Sequence, residues 1–327
     1  PAKCHLMSDQ KFVILGQEIA LGESAVVKLD IAKLHTRNRI SIPIIVERAP
    51  VAGPVLLLMA GIHGDEINGV AIVRDIIRKK YHLPQRGTVI CIPVFNVFGY
   101  LHQSREFPDG RDLNRVFPGR ERGSMASQFA HKFTKEIAPL ADYVLDFHTG
   151  GASRENYPNV RCVLQETQTL ALARAFGAPF IVHSRYIAKS VRETIHKLGK
   201  TILLFEGGKS VHLDPFVIQC GVEGARRVMQ HLGMRDGQLP TPTETVIIEK
   251  SKWLRAPYSG IFQSRVANGT RITKKTVMGI LYDPYGEFEE EVLAPFDCYV
   301  FGINTAPIVH KGDALFHVST RVRDANH

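Results

Sequence analysis

The sequence predicts an α/β domain followed by a small all-β domain. Three observations carry this. Apolar runs of strand length alternate with segments of helical period as far as residue 232. A polar stretch, Arg235–Glu244, then interrupts the pattern with Pro240 and Pro242. Beyond it come short β-like runs and many turn residues. Strands alternating with helices imply a mostly parallel sheet with helices on both faces. The polar stretch reads as a linker and divides the chain into residues 1–240 and 241–327.

The elements follow in order. Ala25–Leu34 and Ile40–Glu47 alternate as strands do, joined by the turn His35-Thr36-Arg37-Asn38. Pro54–Ala60 is continuously apolar, as expected of a strand buried on both faces. A helix to about Lys80 sets Val70, Val73, Ile76 and Ile77 on one side. Thr88–Val94 is the next apolar run, and Met125, Phe129, Phe133 and Ile137 recur every fourth residue as in a helix. Tyr143–Phe147 is a strand, Leu170–Phe176 a helix, and Phe180–Val182 and Thr201–Phe205 are strands. Phe216–Leu232 is a helix, with Gly233 placed to end it. In the carboxy-terminal part a weak repeat is visible. Ala256-Pro257 before Gly260-Ile261-Phe262 is echoed by Ala294-Pro295 before Tyr299-Val300-Phe301, and Val277–Leu281 by Gly312–Phe316. This resembles the two halves of a lipoyl- or biotinyl-type barrel-sandwich domain. The segment in the place of the modified hairpin, Asp283–Glu289, has no lysine, so no such attachment is expected. A covering or oligomerisation module is the expectation, which leaves a homo-oligomer open.

Composition narrows the function classes. At 44% hydrophobic and 22% charged, 327 residues bury a sizeable core. The net charge is +9, but the basic residues are dispersed. The densest groups, Arg78-Lys79-Lys80 and Arg120 with Arg122, carry no interleaved aromatics, and no nucleic-acid-binding pattern occurs. Nucleic acid is therefore excluded as a partner, while an anionic small molecule suits the charge. The five cysteines form no CxxC pair, and Cys91 lies in an apolar run, which points to a reducing compartment. No signal-like region opens the chain, and Val55–Met59 is too short to cross a bilayer. A cytoplasmic protein without a membrane partner is expected.

The chemistry sits at strand ends, where α/β sheets bind ligands. Gly61-Ile62-His63-Gly64-Asp65-Glu66 follows one buried strand and precedes a helix. His and Glu three residues apart across such a turn can converge on one ion. Asp146-Phe147-His148-Thr149-Gly150 ends a second strand, and Phe205-Glu206-Gly207-Gly208 a third. Two imidazoles and one carboxylate are a common ligand set for catalytic zinc, with the fourth position open to water. Zinc lowers the pKa of that water to about 7. A nearby carboxylate can then move its proton, and Glu206 is the candidate. The dense polar run Arg111-Asp112-Leu113-Asn114-Arg115 reads as a substrate clamp, because the planar arginine fork matches carboxylates and can stabilise an oxyanion. Arg105, upstream, is placed to take a second anionic group. Asp65 is expected to cap the following helix. Asp146 is two residues from His148 and is read either as orienting that ligand or as a purely structural hydrogen-bond partner. Gly208-Lys209-Ser210 is no phosphate loop, since Leu203 stands where that motif needs glycine. No GxSxG supports a serine hydrolase.

Together, His63-Gly64-Asp65-Glu66, Asp112-Leu113-Asn114-Arg115, Asp146-Phe147-His148-Thr149 and Glu206-Gly207-Gly208 resemble the motifs of the succinylglutamate desuccinylase/aspartoacylase family, a branch of the zinc carboxypeptidase superfamily. They appear in the family's order. The resemblance implies a zinc-carboxypeptidase-like mixed, mostly parallel sheet, with one Zn2+ held by His63, Glu66 and His148. It implies that Glu206 is the general base and acid, that Arg115 polarises the scissile carbonyl, and that Asn114 helps hold a substrate carboxylate. Arg105 and Arg111 remain as further substrate contacts. The reaction implied is hydrolysis of a small N-acylated amino acid, a carboxylate-bearing substrate. Two alternatives stand beside it: a metallocarboxypeptidase acting on short peptides, and a metal-binding or regulatory protein without catalysis.

Overall fold

The structure, a computed structural model, describes residues 11–33, 36–242 and 244–324. The opening segment 1–10 with Cys4, the strand end Leu34, the turn residue His35 and the linker residue Thr243 lie outside the described residues. The elements run β1 (Phe12–Ile14), β2 (Gln17–Ile19), β3 (Ser24–Lys33), β4 (Arg39–Arg48), β5 (Val51–Ala60), α1 (Ile67–Arg78), β6 (Arg86–Ile92), α2 (Val97–His102), α3 (Met125–Glu136) and β7 (Tyr143–Gly150). There follow β8 (Arg154–Cys162), α4 (Thr167–Phe176), β9 (Phe180–His183), α5 (Val191–Lys197), β10 (Thr201–Lys209) and α6 (Pro215–His231). The carboxy-terminal part is all β: β11 (Val246–Arg255), β12 (Gly260–Ser264), β13 (Arg271–Ile272), β14 (Val277–Tyr282), β15 (Glu289–Leu293), β16 (Cys298–Asn304), β17 (Ile308–Val309) and β18 (Ala314–Asp324).

One twelve-stranded sheet, in the order β13-β16-β18-β11-β9-β8-β10-β7-β5-β6-β4-β3, runs through both parts. The expected mostly parallel sheet is parallel in its centre, where β6, β5, β7 and β10 lie side by side. Its flanks are antiparallel: β4 against β6 on one side, β8 against β10 on the other. The reason is connection length. Only three residues, Gly151–Ser153, separate β7 from β8, too few for the crossover that a parallel partner needs. Across the linker, β11 joins the sheet parallel to β9, and β16 pairs with β8 as well as with β18. A second sheet, β15-β14-β12-β17, contributes to a separate carboxy-terminal core with Met278, Leu281, Val300 and Phe316.

Strand β5 shows why the sheet is covered twice. Leu57 and Met59 pack into a core with Phe129 and Phe133 of α3 and Ile195 of α5. Leu56, Leu58 and Ala60 pack oppositely, with Ile72, Val73 and Ile76 of α1, Phe176 of α4 and Val228 of α6. On α1 the buried side includes Ile72, while Val70 and Ile77 of the expected face are only half-buried. Gly233, with φ of 66°, follows the end of α6 as expected. Among the described residues no helix is long and apolar enough to cross a membrane.

Helix α1 lies directly on β7. A Cβ added to Gly69 would stand 2.5 Å from the Phe147 carbonyl oxygen. Alanine gains about 1 kcal/mol of helix propensity there, whereas forcing a helix off a packed strand costs about 1–3 kcal/mol. Gly69→Ala should therefore destabilise the protein in urea denaturation; a raised midpoint would contradict this close packing.

Candidate active site

Three adjacent strands of the parallel centre, β5, β7 and β10, carry the predicted groups to one edge. After β5, Gly61 adopts φ of 67°, and its carbonyl accepts the Asn96 N–H at 2.8 Å. Gly64 needs to be glycine for space: a Cβ there would meet the Gly99 carbonyl carbon at 1.8 Å. The tight passage turns His63 and Glu66 onto the same point. Asp65 does not cap α1. Glu66 occupies that position, without a side-chain cap. The Asp65 carbonyl instead accepts from the Ile67 and Val211 N–H groups, its Oδ1 has no partner, and burial followed by the Glu66 charge pushes its carboxyl up.

The Glu66 carboxylate is the hub. It is 2% exposed. Its Oε1 lies 2.8 Å from His63 Nδ1, and its Oε2 lies 2.9 Å from His148 Nδ1 and accepts the Thr149 N–H at 3.1 Å. The outer nitrogens are also engaged. His63 Nε2 is 3.2 Å from Asp112 Oδ1, and His148 Nε2 is 2.8 Å from Asp146 Oδ2. Asp146 is thus in contact with His148, which is compatible with both of its readings. Arg105 binds Asp112 Oδ2 through Nε and Nη2 at 3.1 and 2.9 Å, and reaches Glu66 Oε1 at 3.3 Å. Burial disfavours charge on Glu66, Asp112, His63 and His148, but the mutual attractions win. Glu66 is held well below the usual carboxylate range, and Asp112 is lowered too by His63 and Arg105. Both imidazoles are raised, His148 the more, by Asp146 and Glu66.

This donor set fits a metal ion. One ligand atom each from His63, Glu66 and His148 lies within 4.8 Å of the others. Asp112 and Asp146 can each accept an Nε2–H, the tautomer in which Nδ1 of either ring would be free to ligate an ion in place of bonding Glu66 through a proton. The pull on the two imidazoles shows that this pocket attracts positive charge, and a divalent cation answers the same demand.

Glu206 stands beside this group, the register partner of His148 across β7 and β10. Its Oε2 accepts the Asn156 Nδ2–H at 2.8 Å, and Arg161 Nη2 is 3.6 Å from Oε1. His63, Glu66, His148, Asp112, Arg105 and Glu206 with its partners face one cavity of about 560 Å³, while Asp146 lies behind His148.

Residues 52–232 match the family described as the succinylglutamate desuccinylase/aspartoacylase catalytic domain. This chain belongs to that family. It is 30% identical over 243 residues, 71% of each protein, to the N-alpha-acetyl-L-2,4-diaminobutyric acid deacetylase of Halomonas elongata. Among solved structures it resembles a succinylglutamate desuccinylase/aspartoacylase from Rhodobacter sphaeroides, with TM-score 0.79, 26% identity, and 92% and 95% of the two chains covered. The product-bound ectoine utilization protein of Ruegeria pomeroyi shares the fold, with TM-score 0.80 at 24% identity over 91% and 95%.

In this desuccinylase/aspartoacylase-family chain the cavity gathers most of the residues read from the sequence. Asn114 and Arg115 line it, on a short 3-10 turn whose first N–H groups are met by Asp112. The Asn114 Oδ1 is taken by the Val191 N–H at 2.8 Å, which leaves its Nδ2 as the donor for a ligand. Arg105 lines the cavity already matched by Asp112 and Glu66. Arg111 is not brought there: it is not among the lining residues, and its guanidinium is 3.6 Å from Asp109 on an exposed loop. Other groups carried no legible signal. Arg154, Asn156 and Arg161 sit on β8, whose polar composition hid it as a strand. Arg192, 5% exposed, reaches the cavity from α5 with its Nε unpaired, and bonds Ser184. Trp253 and His317 arrive from the carboxy-terminal strands β11 and β18.

His317 stacks on Trp253 at 4.6 Å, and burial, then Arg161 and Arg154, push its pKa down to about 3. The folded protein therefore binds fewer protons than the unfolded chain between about pH 3 and the ordinary histidine value near 6.5. Stability from this group is full above that window and is lost as pH falls through it. His317→Gln should flatten the decline of the urea midpoint between pH 6 and 4; an unchanged decline would refute the buried neutral imidazole.

Proposed function

We propose that this chain is a zinc-dependent deacylase that cleaves the amide bond of a small N-acylated amino acid. The observation that carries the reading is the convergence of His63, Glu66 and His148 beside Glu206, at one cavity lined with arginines. The name of the Halomonas elongata relative, a deacetylase of an N-acetylated amino acid, supports it. On this reading residues 1–240 form the catalytic domain on a zinc-carboxypeptidase-like sheet, and residues 241–327 close one side of its cavity. The four described cysteines are free, which suits a reducing, cytoplasmic setting.

His63 Nδ1, His148 Nδ1 and the Glu66 carboxylate would hold the zinc, with Asp112 and Asp146 fixing the two rings. When bound, the ion supplies Lewis acidity and lowers the pKa of water at the site to about 7. The chain does the rest. Asn114 and Arg115 receive the substrate carboxylate and carbonyl, and the Arg115 guanidinium stabilises negative charge as it develops on that oxygen. Glu206, aimed by its bond from Asn156, takes the proton of the attacking water. It then delivers that proton to the departing nitrogen, releasing a carboxylate and a free amine.

The test is primary-amine release from a panel of N-acetyl and N-succinyl amino acids, with uncapped dipeptides alongside. Wild type should release amine from one class of acyl amino acid, and Glu206→Gln should lose about 10²–10⁴-fold in turnover with its metal retained. Cleavage of dipeptides alone would shift the reading to a carboxypeptidase. In a companion assay His148→Ala should lose zinc in elemental analysis of the purified protein; zinc content equal to wild type would remove His148 from the ligand set.

A further inference from the structure

Strand β8 changes phase beside Glu206, and the change decides what that carboxylate touches. Leu204, Phe205 and Glu206 pair with Arg161, Val160 and Asn159, but Gly208 pairs with Asn156, so β8 carries one extra residue at Tyr157-Pro158. A bulge re-aims side chains, and proline is tolerated in one. In unbroken register Tyr157 would stand opposite Gly208 and face the cavity. The extra residue gives that place to Asn156 and brings Arg154 to the same side as Arg161. Tyr157 turns away, onto Phe180 and Phe216. The buried Asn156 carboxamide thus lies diagonal to Glu206 and donates to its Oε2 at 2.8 Å. Among the described residues this is the one hydrogen bond that the carboxylate accepts, since Arg161 Nη2, 3.6 Å from Oε1, is beyond reach.

The bulge is held from two directions. On the near side the buried Asn159 donates from Nδ2 to the Tyr157 carbonyl at 2.8 Å and reaches the Glu206 carbonyl at 3.4 Å. The other holds come from the carboxy-terminal part. Strand β8 changes partner at the bulge, from β16 before it to β9 after it. Gly302 of β16 stands opposite Asn156, and a Cβ there would lie 3.2 Å from the Asn156 Oδ1. Thr305 donates its N–H and its hydroxyl to the Ser153 carbonyl at 2.7 and 2.8 Å. Asn268 donates from Nδ2 to the Glu155 carbonyl at 3.1 Å. Gly269 lies so close to the Tyr157 ring that a Cβ would stand 2.4 Å from it. The backbone on either side of Asn156 is therefore fixed by segments remote in the chain.

We infer that Asn156 is a positioning residue for the Glu206 carboxylate, and that the carboxy-terminal part, by clamping β8 on both sides of Asn156, sets the aim of that carboxylate. The inference rests on the reading of Glu206 as the proton carrier, and adds what holds it in place. A free glutamate side chain spreads over many rotamers, and a charge-assisted hydrogen bond to one oxygen selects among them. The donor is only as well placed as the strand that carries it. Neither Thr305 nor Asn268 lines the cavity, so both act on Glu206 through β8.

The zinc-loaded protein and its variants are crystallised, and assayed on the acyl amino acid panel. Asn156→Ala should shift the Glu206 carboxylate by about 1 Å or more and lower kcat about 10–100-fold, with KM within about twofold and zinc content unchanged. Asn156→Leu, close to asparagine in shape, should do the same, and serves if the alanine variant fails to fold. In a Glu206→Gln background Asn156→Ala should cost nothing further, because it acts through that carboxylate. The paired change Thr305→Val with Asn268→Ala should also move the carboxylate and lower kcat about threefold or more. A Glu206 carboxylate unmoved in Asn156→Ala and Asn156→Leu overturns the inference, even if no member of the panel is turned over. So does a rise in KM at unchanged kcat, which would make Asn156 a substrate contact. An unmoved carboxylate or full kcat in the Thr305 and Asn268 double variant would overturn the part given to the carboxy-terminal segments. Turnover retained by Glu206→Gln would instead remove the reading beneath, a result that no Asn156 variant can imitate.

Discussion

A carboxylate almost wholly removed from water, with an imidazole on each oxygen, is the constraint around which the molecule is arranged. Glu66 can be ionised there only because His63, His148, the Thr149 N–H and Arg105 all face it. Burial of a charge costs several kcal/mol unless partners meet it. Each of those partners is in turn held by another group, Asp112 on His63 and Asp146 on His148. The result is a closed electrostatic circuit with no slack for a misplaced backbone. The glycine passage at Gly61–Gly64, wedged against Gly99, exists to bring the first two members into it.

The sheet supplies the rest of the geometry through register. Parallel neighbours set side chains abreast at the strand spacing, so that Glu206 stands next to His148 with no loop between them. Antiparallel β8 then closes the other side of Glu206, giving it the Asn156 hydrogen bond and the nearby Arg161. Because β8 also pairs with β16, and β9 with β11, the carboxy-terminal strands extend the catalytic sheet. Its residues Trp253 and His317 thereby become part of the cavity wall. Cavity shape and charge on that side depend on pairing between segments about 150 residues apart, which is why the linker can be polar and irregular without loosening the site.

Much of this was legible in the sequence for a simple reason. Apolar runs such as Pro54–Ala60 and Thr201–Phe205 are strands because both faces are buried, and polar residues directly after them are exceptional enough to mark chemistry. His63, Glu66, His148 and Glu206 stand out by that contrast, whereas Asn114 and Arg115 lie in a dense polar run and are singled out by the family resemblance. The same contrast failed for β8. Its Arg154, Glu155, Asn156, Asn159 and Arg161 leave no apolar pattern, because the strand lines the cavity through Arg154, Asn156 and Arg161 and bonds to other polar groups. It also could not separate Arg111 from Arg115: both are arginines in one dense loop, and the direction in which each points is set by the 3-10 turn and by Asp109.

The sequence by itself determined the α/β alternation, the all-β character of the carboxy-terminal part and the three side chains able to hold a metal. These depend on local properties: burial periodicity, turn chemistry and the nature of each donor. Tertiary structure decided what depends on distance between remote segments. It set the antiparallel flanks, the fusion of the carboxy-terminal strands to β8 and β9, and the bulge that turns Arg154 and Arg161 to the same side. It also decided that Asp65, placed by sequence at a helix start, gives its carbonyl rather than its carboxylate, because Glu66 takes the capping position while facing the two imidazoles.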